Sequence, residues 1–364
     1  MVPESSTIML LTSVEAGERN QGSEEEVMNT AAEQSQVKTM KAIVQDKFGT
    51  PTEVLELKEI DKPAIADDEV LVRVHAASIH IGDVFGIKGL PKVMRPMFKA
   101  MRPKNGVPGI DIAGTVEAVG KSVTGFEPGD EVFGWCKSAF AEYVSTSEDK
   151  LALKPAEFTF EQASAIGVSA MTALQALRDQ ASVEAGHKVL VVGASGGVGT
   201  FAVQIAKWLG AEVTGVCSTR NADMVRSIGA DHVIDYTQKD FTQSDERYDL
   251  IFDNVGGHSL SKTRGPLTDN GTLLANGAPV GGWFGGLGHP IVTGVVSMFV
   301  KQQGRPFLSV PTAGDLATLK ELAEAGSITP VIDRTYPLSE APEAIAHVAE
   351  GHAQGTTLIS MEAA

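Results

Sequence analysis

The sequence predicts an α/β protein built on a doubly wound parallel sheet, with a second, β-barrel-like unit ahead of it. Three observations carry this. The run Lys188-Val189-Leu190-Val191-Val192 is aliphatic with no polar alternation, as a strand covered on both faces of a parallel sheet reads. After residue 159 strand and helix patterns alternate, which builds parallel β-α-β units. Before residue 155 the chain shows only short strands broken by Gly, Pro and Asp, the pattern of a compact β unit.

In chain order, residues 1–37 hold seven glutamates against one basic residue, Arg19, with little periodicity, and read as a disordered acidic tail. Met28 and Met40 are alternative starts, because Met40 opens a natural first strand over 41–44. Further strands are expected over 55–58, 69–75, 114–119, 131–134 and 140–144. Between them, residues 87–108 are basic and rich in Pro and Met, and read either as a functional lid or as a solvated excursion. A helical period with Ala165, Val168, Met171, Thr172 and Leu174 leads into the strand over 188–192. The helix after it carries Phe201, Ile205, Trp208 and Leu209 on one face, and Gly210 stops it. Strands over 213–217, 233–235, 250–254, 271–276 and 307–310, with helices over 223–228 and 315–325, complete the alternation. A strand over 331–334, a helix over 341–350 and a strand over 357–359 are too few for a third domain, and are expected to return to the first unit.

The chemistry starts at Gly193-Ala194-Ser195-Gly196-Gly197-Val198-Gly199, a glycine turn between strand and helix. Free N–H groups and the positive dipole end at a helix start accept a phosphate, and glycines let it approach closely. The spacing is G-x-x-G-G-x-G, so the strand and helix flanks, more than the glycines, make this a dinucleotide site. The next strand runs into Ser218-Thr219-Arg220-Asn221 with no acid to take a ribose 2′-OH. Arg220 and Ser218 suit a 2′-phosphate instead, which selects NADPH. Asn254-Val255-Gly256 and Asn276-Gly277-Ala278 follow later strands, where small residues leave room beside a nicotinamide or simply make turns.

Composition narrows the rest. A net charge of −16 argues against nonspecific nucleic-acid partners, whose phosphates call for a predominance of Lys and Arg. Two distant cysteines, Cys136 and Cys217, exclude a four-cysteine zinc lobe and suit a reducing compartment. The most apolar stretch, residues 290–300, is too short to cross a membrane, and the N-terminus lacks a basic signal region. A cytoplasmic protein with no membrane partner is expected.

Several stretches together resemble a known family: Ala77-Ser78-Ile79-His80-Ile81-Gly82-Asp83, residues 107–120 (VPGIDIAGTVEAVG), Pro128-Gly129-Asp130-Glu131-Val132-Phe133-Gly134, Met171-Thr172-Ala173, the glycine turn, Ser218-Thr219-Arg220, residues 230–236 (ADHVIDY) and residues 248–256 (YDLIFDNVG). These are similar to the zinc-independent medium-chain dehydrogenase/reductases, the NADPH:quinone oxidoreductase-like proteins. The resemblance spans about residues 40–360. It implies a GroES-like β-barrel catalytic domain from 38–158 and 327–364, and a Rossmann NADPH-binding domain from 159–326. It also implies that Ser195, Gly196, Gly197 and Val198 face the pyrophosphate, Ser218 and Arg220 the 2′-phosphate, Tyr236 the adenosine end, and Thr172, Asn254, Val255 and Gly277 the nicotinamide half. A homodimer and a small electrophilic acceptor are the family expectation.

In zinc-dependent relatives three side chains hold a catalytic metal. Here His80, Ile110 and Val168 stand at those positions, and Ile and Val offer no donor, so no metal site is expected. Hydride transfer to a quinone or an α,β-unsaturated carbonyl remains. His80, held by Asp83, either donates the proton to the resulting enolate or only packs, since quinone reductases of this type usually carry Asn there. Gly355-Thr356-Thr357 departs from the family's Gly followed by Lys or Arg. Two other readings stay open: an enoyl-thioester reductase with an acyl slot lined by Trp283, Phe284, Val295, Met298 and Phe299, and a non-enzymatic NADPH-binding sensor.

Overall fold

The computed structural model describes residues 38–277, 303–307 and 309–361. The expected acidic tail and the apolar group between Trp283 and Phe299 lie outside the described residues.

The N-terminal strands are β1 (Thr39–Gln45), β2 (Leu55–Asp61), β3 (Glu69–Ile79), β4 (Asp111–Val119), β5 (Glu131–Trp135), β6 (Tyr143–Ser147) and β7 (Leu151–Leu153). They are followed by β8 (Lys188–Val192), β9 (Glu212–Cys217), β10 (His232–Asp235), β11 (Tyr248–Asp253), β12 (Leu267–Ala275), β13 (Gln303–Pro306), β14 (Ile332–Pro337) and β15 (Thr356–Ser360). The principal helices are α1 (Ile81–Lys88), α2 (Arg95–Met101), α3 (Phe160–Leu174), α4 (Gly197–Trp208), α5 (Ala222–Ser227), α6 (Ala313–Glu324) and α7 (Ala341–Ala349).

Two large sheets result. Six strands in the order β10-β9-β8-β11-β12-β13 are parallel throughout, the doubly wound sheet expected from the aliphatic run. The other sheet runs β14-β15-β3-β4-β5-β7, with β6 on β3. The two last strands do return to the first unit, β15 pairing antiparallel with β3. The hairpin β1-β2 joins this unit through the Ile43 N–H, which donates to the Phe140 carbonyl at 2.9 Å.

Both faces of β8 are covered. Val189 and Val191 belong to one core with Phe201, Val203 and Ile205 of α4, while Leu190 and Val192 belong to another with Ile251 and Leu273. Each such side chain contributes about 1.5–3 kcal/mol on full burial. Gly210 adopts φ 85° and ends the helix as expected, but Trp208 is exposed instead of sharing the face of Phe201 and Ile205.

Other local expectations need correction. Residues 87–108, read as a lid or a solvated excursion, carry helical pieces: α1 closes on Gly89 at φ 61°, and α2 starts with Pro96 in its first turn, where a missing N–H costs nothing. The strand expected over 140–144 lies at Tyr143–Ser147, because Phe140 and Ala141 are spent on contacts with β1. The strand expected over 307–310 lies at Gln303–Pro306, where the backbone continues the parallel ladder of β12.

Candidate functional site

The parallel sheet reverses its winding between β8 and β11, and the crevice at the carboxyl ends of those strands is where such sheets bind ligands. Asn254, just past β11, closes this point: its backbone N–H and its side-chain amide both donate to the Val192 carbonyl, at 3.2 and 3.3 Å. The turn follows from Gly193 at φ 77°, a left-handed conformation that suits glycine. The N–H groups of Gly193 and Ala194 donate to the Val216 carbonyl, pinning the turn to β9 at 3.1 and 3.0 Å. At Gly199 a Cβ would lie 2.0 Å from the Gly193 carbonyl oxygen, so helix and turn pack only with glycine there.

Gly196 caps α4 without a side chain, and the first N–H to bond back is that of Thr200, at 2.9 Å from the Gly196 carbonyl. The N–H groups of Gly197, Val198 and Gly199 therefore have no acceptor inside the helix. At Gly196 an added Cβ would make only an ordinary contact, with the Gly193 carbonyl oxygen at 3.6 Å, whereas at Gly197 it would press on the Ser169 Oγ at 3.3 Å. Such a cradle fits a phosphate at a helix start.

Asn254, Val255 and Gly277 form one rim, organised by Asp253, which sequence reading missed. Its buried carboxylate accepts from the N–H groups of Val255 and Gly256, both at 2.9 Å, and its carbonyl accepts from Asn276 and Gly277 at 2.9 and 2.8 Å. The Asn276 amide donates to Asn254 Oδ1 at 2.8 Å. A Cβ on Gly277 would stand 2.3 Å from backbone atoms of Asn254 and Val255. Opposite, Thr172 is buried on α3, one turn beyond Ser169, and its hydroxyl donates to the Val168 carbonyl at 2.7 Å.

At the other end of the crevice, Ser195 Oγ accepts from the Asn221 amide at 2.9 Å, and Asn221 Oδ1 accepts from Gln354. Ser218 precedes a short turn whose Arg220 is exposed and donates to the His352 carbonyl. Arg220, Arg334, His352 and Gln354 line a cleft of about 600 Å³ together with Asp333, His347 and Glu350. Tyr236 lies in the open, 59% exposed. A carboxylate the sequence reading did not place here, Asp235, binds the Thr219 and Thr237 hydroxyls and Gln238, and those bonds, Thr219 first, hold its pKa down at about 2.

The first sheet reaches the turn through β15. The Gly355 N–H donates to the Ser195 carbonyl at 2.7 Å, and Gly355 bridges Gly196. Two residues on, Thr357 pairs with Ile79, the neighbour of His80. The hydroxyls of Thr356 and Thr357 are buried and, among the described residues, unpartnered.

His80 caps α1. Its backbone N–H donates to Asp83 Oδ2 at 3.0 Å, and its Nε2 stands 3.4 Å from the same oxygen. Burial raises the Asp83 pKa, and His80 opposes the shift. Asp111, also buried, accepts from Ser78 Oγ at 3.1 Å and from the Val168 N–H at 2.9 Å. Its pKa is pushed up to about 6 by burial, against the pull of His80 and the Val168 N–H. A Cβ on Gly167 would stand 2.2 Å from the Asp111 carboxyl carbon, so the break in α3 at Gly167 is built around this acid. The short side chain inside an apolar stretch gave no sequence signal of that role.

The family profile described as alcohol dehydrogenase GroES-like domain matches residues 66–203, and the one described as zinc-binding dehydrogenase matches 228–359. The chain is 34% identical over 354 residues to "NAD(P)H oxidoreductase RTN4IP1, mitochondrial" of Mus musculus, covering 88% of this chain and 89% of that one. It is 30% identical over 348 residues to "NADPH-dependent alkenal/one oxidoreductase, chloroplastic" of Arabidopsis thaliana, covering 91% and 82%. The structure of the quinone oxidoreductase from Coxiella burnetii superposes with a TM-score of 0.78 at 29% identity, covering 89% of this chain and all of that one. The chain belongs to the medium-chain dehydrogenase/reductase family and is an oxidoreductase of that nicotinamide-dependent group.

One profile's description names zinc, whose protein ligands are N, S or O donors. Ile110 and Val168 carry none, Asp111 is bonded to Ser78 and Val168, and among the described residues no group of three or more His, Cys, Asp or Glu could hold an ion.

Proposed function

We propose that this protein transfers a hydride from NADPH to a quinone or an α,β-unsaturated carbonyl without a metal. One observation carries the reading: the uncapped N-terminus of α4 lies at the winding reversal, beside Asn254 and Val255, and is joined through Gly355 and Thr357 to the strand that His80 follows. When bound, the cofactor supplies the hydride from its reduced ring. The N–H groups of Gly197, Val198 and Gly199 hold the pyrophosphate. Ser195 and Gly196 shape that loop. Arg220 leaves the His352 carbonyl to pair with the 2′-phosphate beside Ser218, and Tyr236 covers the adenosine end. Thr172, Asn254, Val255 and Gly277 confine the nicotinamide.

Ile110 and Val168 offer a Lewis acid no donor, and this favours an acceptor that is already electrophilic. Hydride adds to the β-carbon of an enone, the carbonyl oxygen gains the electron pair, and the enolate then takes a proton. His80, in contact with Asp83, is the donor in this reading, because it directly follows the strand tied to the turn and carries a ring nitrogen that can hold a proton. The buried free thiols of Cys136 and Cys217 fit a reducing compartment such as the cytoplasm, and a homodimer is the assembly the reading favours.

The experiment is acceptor-dependent oxidation of NADPH and of NADH across simple quinones and conjugated ketones, for the protein and for Arg220→Asp. The reading expects turnover with NADPH preferred, and a swing toward NADH in the variant as its carboxylate repels the 2′-phosphate. No turnover across the panel overturns it, and an unchanged cofactor ratio removes Arg220 from the 2′-phosphate site.

A further inference from the structure

Residues 84–110 contain no Asp or Glu in a chain that has 46 of them, yet they hold Lys88, Lys92, Arg95, Lys99, Arg102 and Lys104. The two arginines are turned inward. Arg95 donates to the Gly89 carbonyl at 3.1 Å and Arg102 to the Asp46 carbonyl at 3.2 Å, and both lie over the Phe48 ring. They fasten α2 to the first unit. Lys92, Lys99 and Lys104 are exposed and enter no salt bridge among the described residues.

Away from the arginines, Val93, Pro96, Met97, Ala100 and Met101 recur at i, i+3, i+4, i+7 and i+8, one face of a helical turn. All five are exposed, Val93 at 49%, Met97 at 42% and Met101 at 62%. An amphipathic helix ordinarily turns such a stripe to the core. Here the cationic side holds the protein and the apolar side faces out, with lysines at its edge.

We propose that this face seats the protein on an anionic lipid surface, the stripe entering the headgroup boundary and Lys92, Lys99 and Lys104 meeting lipid phosphates. Charge complementarity selects an anionic occupant. The stripe offers no hydrogen-bonding side chain to a shape-matched protein, whereas unbranched Met and Lys adapt to a fluid surface. The net charge of −16 does not forbid this, because acids beyond about 8 Å are screened at physiological salt. Among the described residues no helix is long and apolar enough to cross a membrane, and seating on one requires none. The inference departs from the expectation of no membrane partner, which composition alone suggested.

The test is co-sedimentation of the full chain with vesicles of phosphatidylcholine mixed with phosphatidylglycerol, beside pure phosphatidylcholine. Two double variants accompany it, Met97→Glu with Met101→Glu, and Lys92→Glu with Lys99→Glu. All four positions are exposed, so both variants should melt like the parent. Binding is expected to the mixed vesicles only, to be released by salt, and to drop tenfold or more in each variant, since one lysine at such a surface is worth about fivefold. Turnover of a water-soluble acceptor should be unchanged in both, which separates this outcome from the hydride-transfer reading. No binding by the parent, or undiminished binding by both variants, overturns the proposal. So does a fall from dimer to monomer in the methionine variant by light scattering, which would show a second copy on this face.

Discussion

The carbonyl oxygen of Val192 accepts twice from Asn254, once from its backbone N–H and once from its side-chain amide. Strand β8 is thereby tied to the end of β11 at the point where the sheet reverses its winding. Asn254→Ala removes one of these bonds and leaves the Asn276 amide without its acceptor. Thermal unfolding should register a loss of about 1–3 kcal/mol, and the cofactor KM should rise as the rim loosens.

Two glycines of the turn should respond differently to alanine. At Gly199 the added carbon meets backbone at 2.0 Å, so Gly199→Ala should be poorly folded. At Gly197 the nearest atom is the Ser169 hydroxyl oxygen at 3.3 Å, which must give by a few tenths of an ångström, so Gly197→Ala should fold with a small loss of stability while its methyl crowds the phosphate approach. Titration of NADPH into both proteins beside their melting curves checks this. Equal affinity in Gly197→Ala and the parent would remove that helix start from the binding site.

Asp111 makes a prediction about pH. Burial raises its pKa in the folded protein to about 6, above the 3.8 expected when unfolded, so the native state binds the extra proton between those values. Stability should therefore fall as pH rises from about 4 to about 6, by about 3 kcal/mol from this group, with the cost fully present above that window. Asp111→Asn should flatten the slope, as read from denaturant unfolding at several pH values. An unchanged slope would show that Asp111 does not titrate there.

His80→Gln removes the proposed proton donor while keeping a polar side chain of similar reach. Enone turnover should fall about 10²-fold in kcat, with KM for NADPH little changed. A parent-like kcat would leave protonation to solvent.

Much of this was readable because strand, turn and helix follow one another without interruption from Lys188 to Trp208, so one segment disclosed both the sheet and the phosphate cradle. The helices between Ile81 and Met101 were not, because Pro96 and Gly89 read as breakers until their places at a helix start and end are known. The roles of Asp253 and Asp111 were also hidden. Each depends on backbone N–H groups that the fold brings to a buried carboxylate, and at Asp111 the donor is 57 residues away. The link from Gly355 to the glycine turn is longer still, and no local pattern encodes it.

The proposed reaction delivers hydride with no metal at the site. The direct measurement is acceptor-dependent NADPH oxidation by protein dialysed exhaustively against a strong chelator, with and without zinc added back. Undiminished turnover in the chelated protein is predicted. Turnover that disappears on chelation and returns only with zinc would contradict the account.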